Sequence, residues 1–304
     1  MSHISICFAV YQNQGSLTPL YELMVHELKT HFPNHTYELL FVNDGSQDNS
    51  LMELLTLRDK DPNVKIISFS RNFGQMSAIL AGWERATGDC VINMAADLQD
   101  PPEQCTEMIK EWEKGNDIVI SYRISHATSW SKRLTSKIFY RLMLPKSPPG
   151  GFDFVLLNRN SLNAIKSIKE RHRFYQYDIL WAGFNIKYIP YHKLERKVGI
   201  SQYNFIKRFG NFYSGFLNVS SLPLRLMSTV GVLVSLGGFI YALNIVWAYY
   251  VHATPFEGWA PLMILILILG GLIIAMLGML GEYIWRILDE VKGRPNYIIK
   301  DIFD

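Results

Sequence analysis

Three short runs in this chain of 304 residues are suited to holding a charged, phosphorylated small molecule. They are Asn43-Asp44-Gly45-Ser46-Gln47-Asp48, Ser70-Arg71-Asn72-Phe73-Gly74-Gln75 and Ala96-Asp97-Leu98-Gln99-Asp100-Pro101-Pro102. A carboxylate such as Asp44 accepts hydrogen bonds from a base or a ribose. Asp97 offers a hard oxygen ligand to a divalent cation, and Gln99, two residues on, can join it as ligand or orienter. Mg2+ or Mn2+ held there would neutralise a departing diphosphate, the main electrostatic task when a group is transferred off a nucleotide. Each run also has a bland explanation. Asp-Gly-Ser makes a turn, Asp48 caps a helix, and Pro101-Pro102 opens one.

The elements around the runs decide between these readings. His3 to Tyr11, Tyr37 to Val42, Val64 to Phe69, Cys90 to Ala95 and Ile118 to Tyr122 read as strands. Leu17 to Phe32, Asp48 to Asp59, Gln75 to Ala86 and Pro102 to Lys114 read as the helices between them. Such alternation predicts an open, mainly parallel α/β sheet. Sheets of this kind bind ligands beyond the carboxyl ends of their strands. The three runs follow three successive strands, so they share one cleft. Neither a Gly-x-x-x-x-Gly-Lys-Ser/Thr loop nor a Gly-x-Gly-x-x-Gly turn is present; strand one runs into Tyr11-Gln12-Asn13-Gln14-Gly15. The common ATPase and dinucleotide-binding signatures are therefore missing.

The second half of the chain is of another character. No Asp, Glu, Lys or Arg occurs from Leu226 to Phe256 or from Gly258 to Gly281. Both runs exceed the roughly 20 residues that cross a bilayer as a helix, and Leu262 to Leu269 is apolar on every face. Lys207, Arg208 and Arg225 precede the first run and Arg286, Lys292, Arg294 and Lys300 follow the second. The connector around Thr254 has neither Lys nor Arg, so both long ends are expected in the cytoplasm, with no signal peptide ahead of strand one. Phe205, Phe209, Phe212, Phe216 and neighbours recur at helical spacing beside Lys207 and Arg208. This segment either lies on the membrane surface or packs on the globular domain. The implied organisation is a catalytic domain at 1–200, an amphipathic segment at 201–225, a two-helix hairpin at 226–285 and a cytoplasmic tail at 286–304.

Composition closes other routes. With 49% hydrophobic residues and a net charge of +3, the chain is not disordered. Lys+Arg at 30 against Asp+Glu at 27 argues against a nucleic-acid binder. Three cysteines without metal-site spacing argue against a disulfide scaffold and fit a reducing compartment.

Taken with Arg196-Lys197-Val198-Gly199-Ile200-Ser201, Pro223-Leu224-Arg225, Leu280-Gly281-Glu282-Tyr283 and Gly293-Arg294-Pro295, the three runs resemble the motif series of family 2 glycosyltransferases of the GT-A fold. The branch resembled is the polyprenyl-phosphate glycosyltransferases, and the likeness spans nearly the whole chain. It implies that Val10, Tyr11, Asp44, Gly45, Ser46, Arg71, Asn72, Gly74, Ala96 and Asp97 line a nucleotide-sugar site, with Asp97 and Gln99 toward the metal. The implied reaction is an inverting transfer of a hexose, from UDP-glucose in first place, to undecaprenyl or another polyprenyl phosphate at the inner (cytoplasmic) membrane. Its product would be a β-linked lipid-phosphate sugar serving modification of cell-surface glycan or lipopolysaccharide.

A phosphate monoester, with a second pKa of about 6, is mostly dianionic at neutral pH and attacks with little help. Arg123, Lys132, Arg133 and Arg196 are the cations expected to hold it. Asp153 joins Asp97 and Arg196 as a catalytic candidate, as general base, ligand of a sugar hydroxyl or orienter of an arginine. The chain departs from the family pattern in several places. Ala95 stands where the first Asp of Asp-x-Asp is usual, and Ala9, Gln12 and Asn13 where Pro, Asn and Glu are usual. Phe152-Asp153-Phe154-Val155 replaces Gly-Asp-Phe-Arg, and Ser201-Gln202-Tyr203 replaces Ser-Lys-Tyr. The alternatives are a transferase using another sugar or lipid acceptor, and a catalytically weak membrane scaffold, for which Ala95 is the chief support. Self-association through the hairpin is compatible with either.

Overall fold

The structure is a computed structural model that describes residues 1–124, 144, 147–148, 151–171, 173–194, 222–251 and 260–304. It divides into two units, Met1–Phe212 with Pro295–Asp304, and Tyr213–Arg294.

In the first unit, β1 (His3–Val10), β2 (Thr36–Asn43), β3 (Val64–Phe69), β4 (Cys90–Ala95) and β5 (Ile118–Arg123) alternate with α1 (Leu17–His31), α2 (Ser50–Lys60), α3 (Gln75–Arg85) and α4 (Glu103–Glu113). They lie within about two residues of the bounds expected from the apolar pattern. Further on come β6 (Phe154–Asn158), α5 (Arg159–Lys166), α6 (Tyr175–Trp181), β7 (Ile186–Tyr191) and β8 (Ile299–Phe303). The described strands form one sheet in the order β7-β5-β6-β4-β1-β2-β3-β8. β1 pairs in parallel with both β2 and β4, and β2 with β3, whereas β6 and β8 pair antiparallel. The central strands are apolar on both faces, since helices cover both. Ile4, Ile6, Phe8, Leu39, Phe41, Ile66, Ile92 and Met94 are fully or almost fully buried in the core.

Register fixes the site. Val10 lies opposite Asn43, Asn43 opposite Ser68, and Ala9 opposite Ala95. The loops after β1, β2, β3 and β4 therefore leave one edge at one height. The strand order reverses between β1 and β4, which makes that pair the switch point where such sheets open a crevice. β6 runs the other way, so Asp153, just before its first residue, stands at the same edge as Arg123 at the end of β5.

The tail reads differently in the structure than in the sequence. Residues 286–304 are not a free tail: the last apolar helix runs on to Val291, and β8 closes the β3 edge antiparallel, with Ile67 opposite Ile302. An unpaired β3 would expose a row of backbone donors and acceptors, and β8 satisfies them. Its sequence, IKDIF, is too short and too charged to announce a strand.

In the second unit, α7 (Leu222–Tyr250) and α8 (Ala260–Val291) contain the two candidate spans, Leu224–Tyr241 and Ile268–Val291. Both are long and apolar enough to cross a membrane. Leu233, Phe239, Ile240, Ile268 and Ile274 are each at least 60% exposed. Water would penalise such surface on a soluble helix, whereas lipid does not. The amphipathic segment expected at 201–225 lies outside the described residues up to 221, and Pro223-Leu224-Arg225 belongs to the first turns of α7.

Two features of the first unit generate stability tests. Near the amino ends of the strands, buried Glu38 accepts from Ser5 Oγ (2.5 Å), Lys65 Nζ (2.7 Å), Thr87 N (2.7 Å) and Thr87 Oγ1 (2.9 Å). Burial alone would raise its pKa, but these bonds together outweigh it and bring the carboxyl down to about 2. A carboxyl whose pKa is lower folded than unfolded stabilises above its unfolded value and loses that contribution as pH falls through the folded one. We expect acid unfolding to draw roughly 2–3 kcal/mol from this group between about pH 4.5 and 2. Glu38→Gln should flatten that limb in a denaturant series across pH. An unchanged slope would remove Glu38 as its source.

At the other edge, Gly45 has φ +66°, and a Cβ there would meet the Arg71 carbonyl carbon at 2.4 Å and Asn72 N at 2.6 Å. Gly15 (φ +83°) has nothing within 4 Å of the corresponding position. Gly45→Ala should therefore cost at least about 2 kcal/mol, and Gly15→Ala about 1 kcal/mol of backbone strain. Comparable melting temperatures for the two variants would contradict the close approach of the loops.

Candidate functional site

The crevice is built loop on loop. After β2 the chain turns at Asp44, whose amide donates to Val10 O (2.8 Å), tying it to the end of β1. The buried Asp44 carboxylate then reaches the loop after β3. One oxygen accepts from Phe73 N (2.6 Å) and the other from Gly74 N (2.9 Å). Burial raises the pKa of Asp44, while these two amides and the Arg71 guanidinium pull it back. It thereby braces the loop after β3, at the edge where the sequence leads one to expect Asp44 to meet a base or ribose. Ser46 is likewise engaged: its N–H donates to Asn43 Oδ1 (3.2 Å) and its Oγ accepts from Gln12 N (3.1 Å). Asp48 has the bland role, accepting from Ser50 N (3.1 Å) at the start of α2 and from Gln14 N (3.2 Å).

On the braced loop, Arg71 is exposed, with its guanidinium 4.1 Å above the Phe73 ring and one nitrogen donating to Asn72 O (3.0 Å). Gly74 has φ +96° and directly precedes α3, so the loop turns into a helix N-terminus beside the crevice.

Across the switch point, Ala96 is buried and its carbonyl accepts from Ser16 Oγ (2.9 Å) and Asn13 Nδ2 (3.5 Å). Val10 is buried at the end of β1, and the Tyr11 amide donates to Asn13 Oδ1 (2.9 Å). Asp97 is half-buried, and its Oδ1 accepts from Gln99 N (3.2 Å). Between them Leu98 has φ 57°, and Gln12 on the facing loop has φ 54°. Left-handed backbone at a non-glycine residue costs roughly 1–2 kcal/mol and persists where the surroundings over-determine it. Both such residues, among those described, flank this crevice.

Asp100, which the sequence offered no reason to single out, is the latch of the third loop. Only 2% exposed, it accepts from Tyr191 Oη (2.7 Å) at the end of β7 and lies 3.9 Å from Lys193 Nζ. Leu194 N donates to Gln99 O (2.8 Å). The segment leading toward Arg196 therefore starts against the Asp97–Gln99 turn. Burial raises the pKa of Asp100, with Lys193 and Tyr191 opposing and Asp97 and Asp153 adding to the rise. Asp97 and Asp153 thus both lie within electrostatic reach of Asp100.

Asp153 is exposed, and its Oδ1 accepts from Tyr175 Oη (2.8 Å) and Gln176 Nε2 (3.1 Å), both on α6. Asn93 Nδ2 holds its backbone carbonyl (2.9 Å). Arg123 is exposed at the end of β5, where Ile124 N donates to Tyr191 O (2.9 Å). Lys132, Arg133 and Arg196 lie outside the described residues. The structure thus gathers the predicted residues of the first 123 positions and Asp153 at one edge, and adds Asn13, Ser16, Asp100, Tyr175, Gln176, Tyr191 and Lys193 as their supports.

Comparison with known proteins agrees with this geometry. Residues 5–178 match glycosyl transferase family 2. A bactoprenol glucosyl transferase derived from the SfII prophage of Shigella flexneri is 36% identical over 98% of this chain and 97% of its own length. An uncharacterised glycosyltransferase of Synechocystis is 35% identical over 99% and 95%. Among solved structures, mannosyl-3-phosphoglycerate synthase from Rubrobacter xylanophilus has a TM-score of 0.51 at 13% identity, covering 75% of each chain. Glucosyl-3-phosphoglycerate synthase from Mycobacterium tuberculosis, in complex with Mn2+, UDP and phosphoglyceric acid, has a TM-score of 0.50 at 12% identity, covering 70% of this chain and 75% of its own. The parallel sheet, its switch-point crevice and the match over more than half the chain lead to one conclusion: this protein belongs to glycosyl transferase family 2.

Proposed function

We propose that the chain transfers a hexose from a nucleotide sugar, UDP-glucose in first place, to the phosphate of a polyprenyl chain at the cytoplasmic face of a membrane. The observation that carries this reading is the convergence of the Asp44, Arg71 and Asp97 loops with Asp153 at one switch-point edge. It occurs in a chain that aligns nearly end to end with bactoprenol glucosyl transferases.

On the donor side, the braced loop and Arg71 take the nucleotide, and the Asp97 turn faces its diphosphate. The acidic and amide oxygens of Asp97 and Gln99 suit a hard cation. Among the described residues no group of three or more His, Cys, Asp or Glu is placed to hold a metal. A site of one carboxylate and one amide fits Mg2+ or Mn2+ only where the diphosphate supplies further oxygens, which is how Mg2+ commonly binds. Asp97 and Gln99 would hold that ion, and its charge would offset the one left on the diphosphate.

On the acceptor side, a phosphate oxygen attacks the anomeric carbon as the bond to the nucleoside diphosphate breaks on the opposite face, so the configuration inverts. A dianionic phosphate brings its own electron pair and no proton has to leave. Asp153 is therefore free of general-base duty. Held by Tyr175 and Gln176, it suits a sugar hydroxyl, while Arg123, Lys132, Arg133 and Arg196 supply the positive charge for the lipid phosphate.

The membrane reading draws support from the folded tail. The chain leaves the first unit after Phe212 and rejoins it at Pro295, with two apolar helices between. A strand of the same sheet at each end requires an even number of crossings, and the Lys/Arg placement points that side to the cytoplasm.

Two experiments test the proposal. With detergent-solubilised full-length protein and a panel of UDP- and GDP-sugars, nucleoside diphosphate should appear only when both the matching sugar nucleotide and undecaprenyl phosphate are present. Asp97→Asn should lower kcat by about 100-fold or more while the nucleotide Kd moves by less than about fivefold, because the charge it serves develops as the diphosphate leaves. A near-native rate at saturating Mg2+ or Mn2+ would remove Asp97 from the mechanism. For topology, a reporter fused after Asp304 should read as cytoplasmic and a tag near Thr254 as external; an external C-terminus would contradict the hairpin.

A further inference from the structure

The end of the chain reaches the donor loop. Before β8, Tyr297 stacks face to face on Phe69 (4.9 Å between centroids, 14° between planes). Phe69 is 2% exposed at the end of β3 and meets Phe73 edge-on (5.8 Å, 89°). Phe73 is the residue whose amide donates to Asp44 and whose ring carries the Arg71 guanidinium. The Tyr297 hydroxyl donates to Glu84 on α3. Two backbone carbonyls flanking Tyr297 complete the contact: Ile298 O accepts from Ser70 N (3.0 Å), and Asn296 O accepts from Ser77 Oγ (3.2 Å), which also donates to Phe73 O (3.2 Å). The loop Ser70–Gly74 is thus braced from below by Asp44 and from the side by residues 296–298.

We propose that Tyr297 is a positioning residue for the donor site. By stacking on Phe69 it fixes Phe73, and with it Arg71 and the Asp44-braced turn that receive a nucleoside diphosphate. This rests on the reading of that loop as the nucleotide site and extends it to a segment more than 220 residues away in sequence. The sheet edge alone does not need this arrangement. β8 covers β3 through Ile299–Phe303, whereas Tyr297 lies before the strand and spends its ring on the loop. Donor binding therefore depends on the piece of chain that follows the second apolar helix, as well as on the domain that precedes the first.

The test uses full-length protein in detergent, with UDP and GDP as probes. Tyr297→Ala should raise the nucleotide Kd about fivefold, the scale an aromatic pair supports. The KM for undecaprenyl phosphate, and kcat at saturating donor, should stay within about twofold. Tyr297→Phe keeps the stack and loses only the bond to Glu84, so it should restore near-native affinity. Tyr297→Leu fills the space without stacking and should fall between, which keeps the test usable if the alanine variant does not fold. Equal nucleotide affinity in Tyr297→Ala, Tyr297→Leu and the parent would overturn the coupling. So would a loss in which the nucleotide Kd and the acceptor KM rise together while the melting temperature falls, since that marks a purely structural contact. A parent chain that binds neither UDP nor GDP would instead overturn the reading of the loop as a nucleotide site, and the coupling with it.

Discussion

One buried carboxylate holds the crevice in shape. Asp44 sits where the second parallel strand ends, its own amide tied to the end of the first strand and its two oxygens to the amides of Phe73 and Gly74. A buried carboxylate left without donors would be costly, so the loop after β3 has to present its amides inward. That in turn draws Arg71 and Asn72 onto Gly45, so closely that no side chain fits between them. The separate turns after β2 and β3 become one rigid wall. The wall is useful because the parallel register sets the Asp97 turn at the same height on the other side of β1.

The opposite wall is held by different means. Ser16 and Asn13 bond to the carbonyl of Ala96, Asp100 binds Tyr191, and the backbone at Gln99 meets Leu194. With Leu98 forced into left-handed backbone, the Asp97–Gln99 turn has little freedom of its own. Pre-set loops favour transferring a sugar off a diphosphate, because polar groups already in place need not reorganise as charge develops. In the proposed reaction Ala95, where the family pattern usually has a carboxylate, would leave the protein with fewer metal ligands of its own and the donor's phosphates with more of that task.

Much of this was legible from residue types alone. The strands and helices from His3 to Arg123 follow from apolar runs punctuated by Gly, Asp and Asn, and the register of parallel strands aligns their ends without further information. Asp97, Arg71 and Asp153 were all visible as candidates, and the structure brings them to one edge. What escaped was of two kinds. The role of Asp44 depends on which backbone amides face it, and no local pattern encodes that. β8 and Tyr297 were hidden because their partners lie more than 200 residues earlier and their own segment is short and charged. Asp100 draws no notice in the sequence, since Pro101-Pro102 accounts for that turn by itself; its burial against Tyr191 becomes apparent only once β7 is placed.

In the proposed reaction a lipid phosphate attacks the sugar carbon and expels a nucleoside diphosphate. The chemical structure of the isolated lipid product tests it most directly. Phosphorus and proton NMR should show a single phosphorus joining the polyprenyl chain to a β-configured anomeric carbon, with nucleoside diphosphate as the co-product. A product with two phosphorus atoms and release of a nucleoside monophosphate would contradict it, since bond cleavage would then have occurred within the diphosphate and not at the sugar.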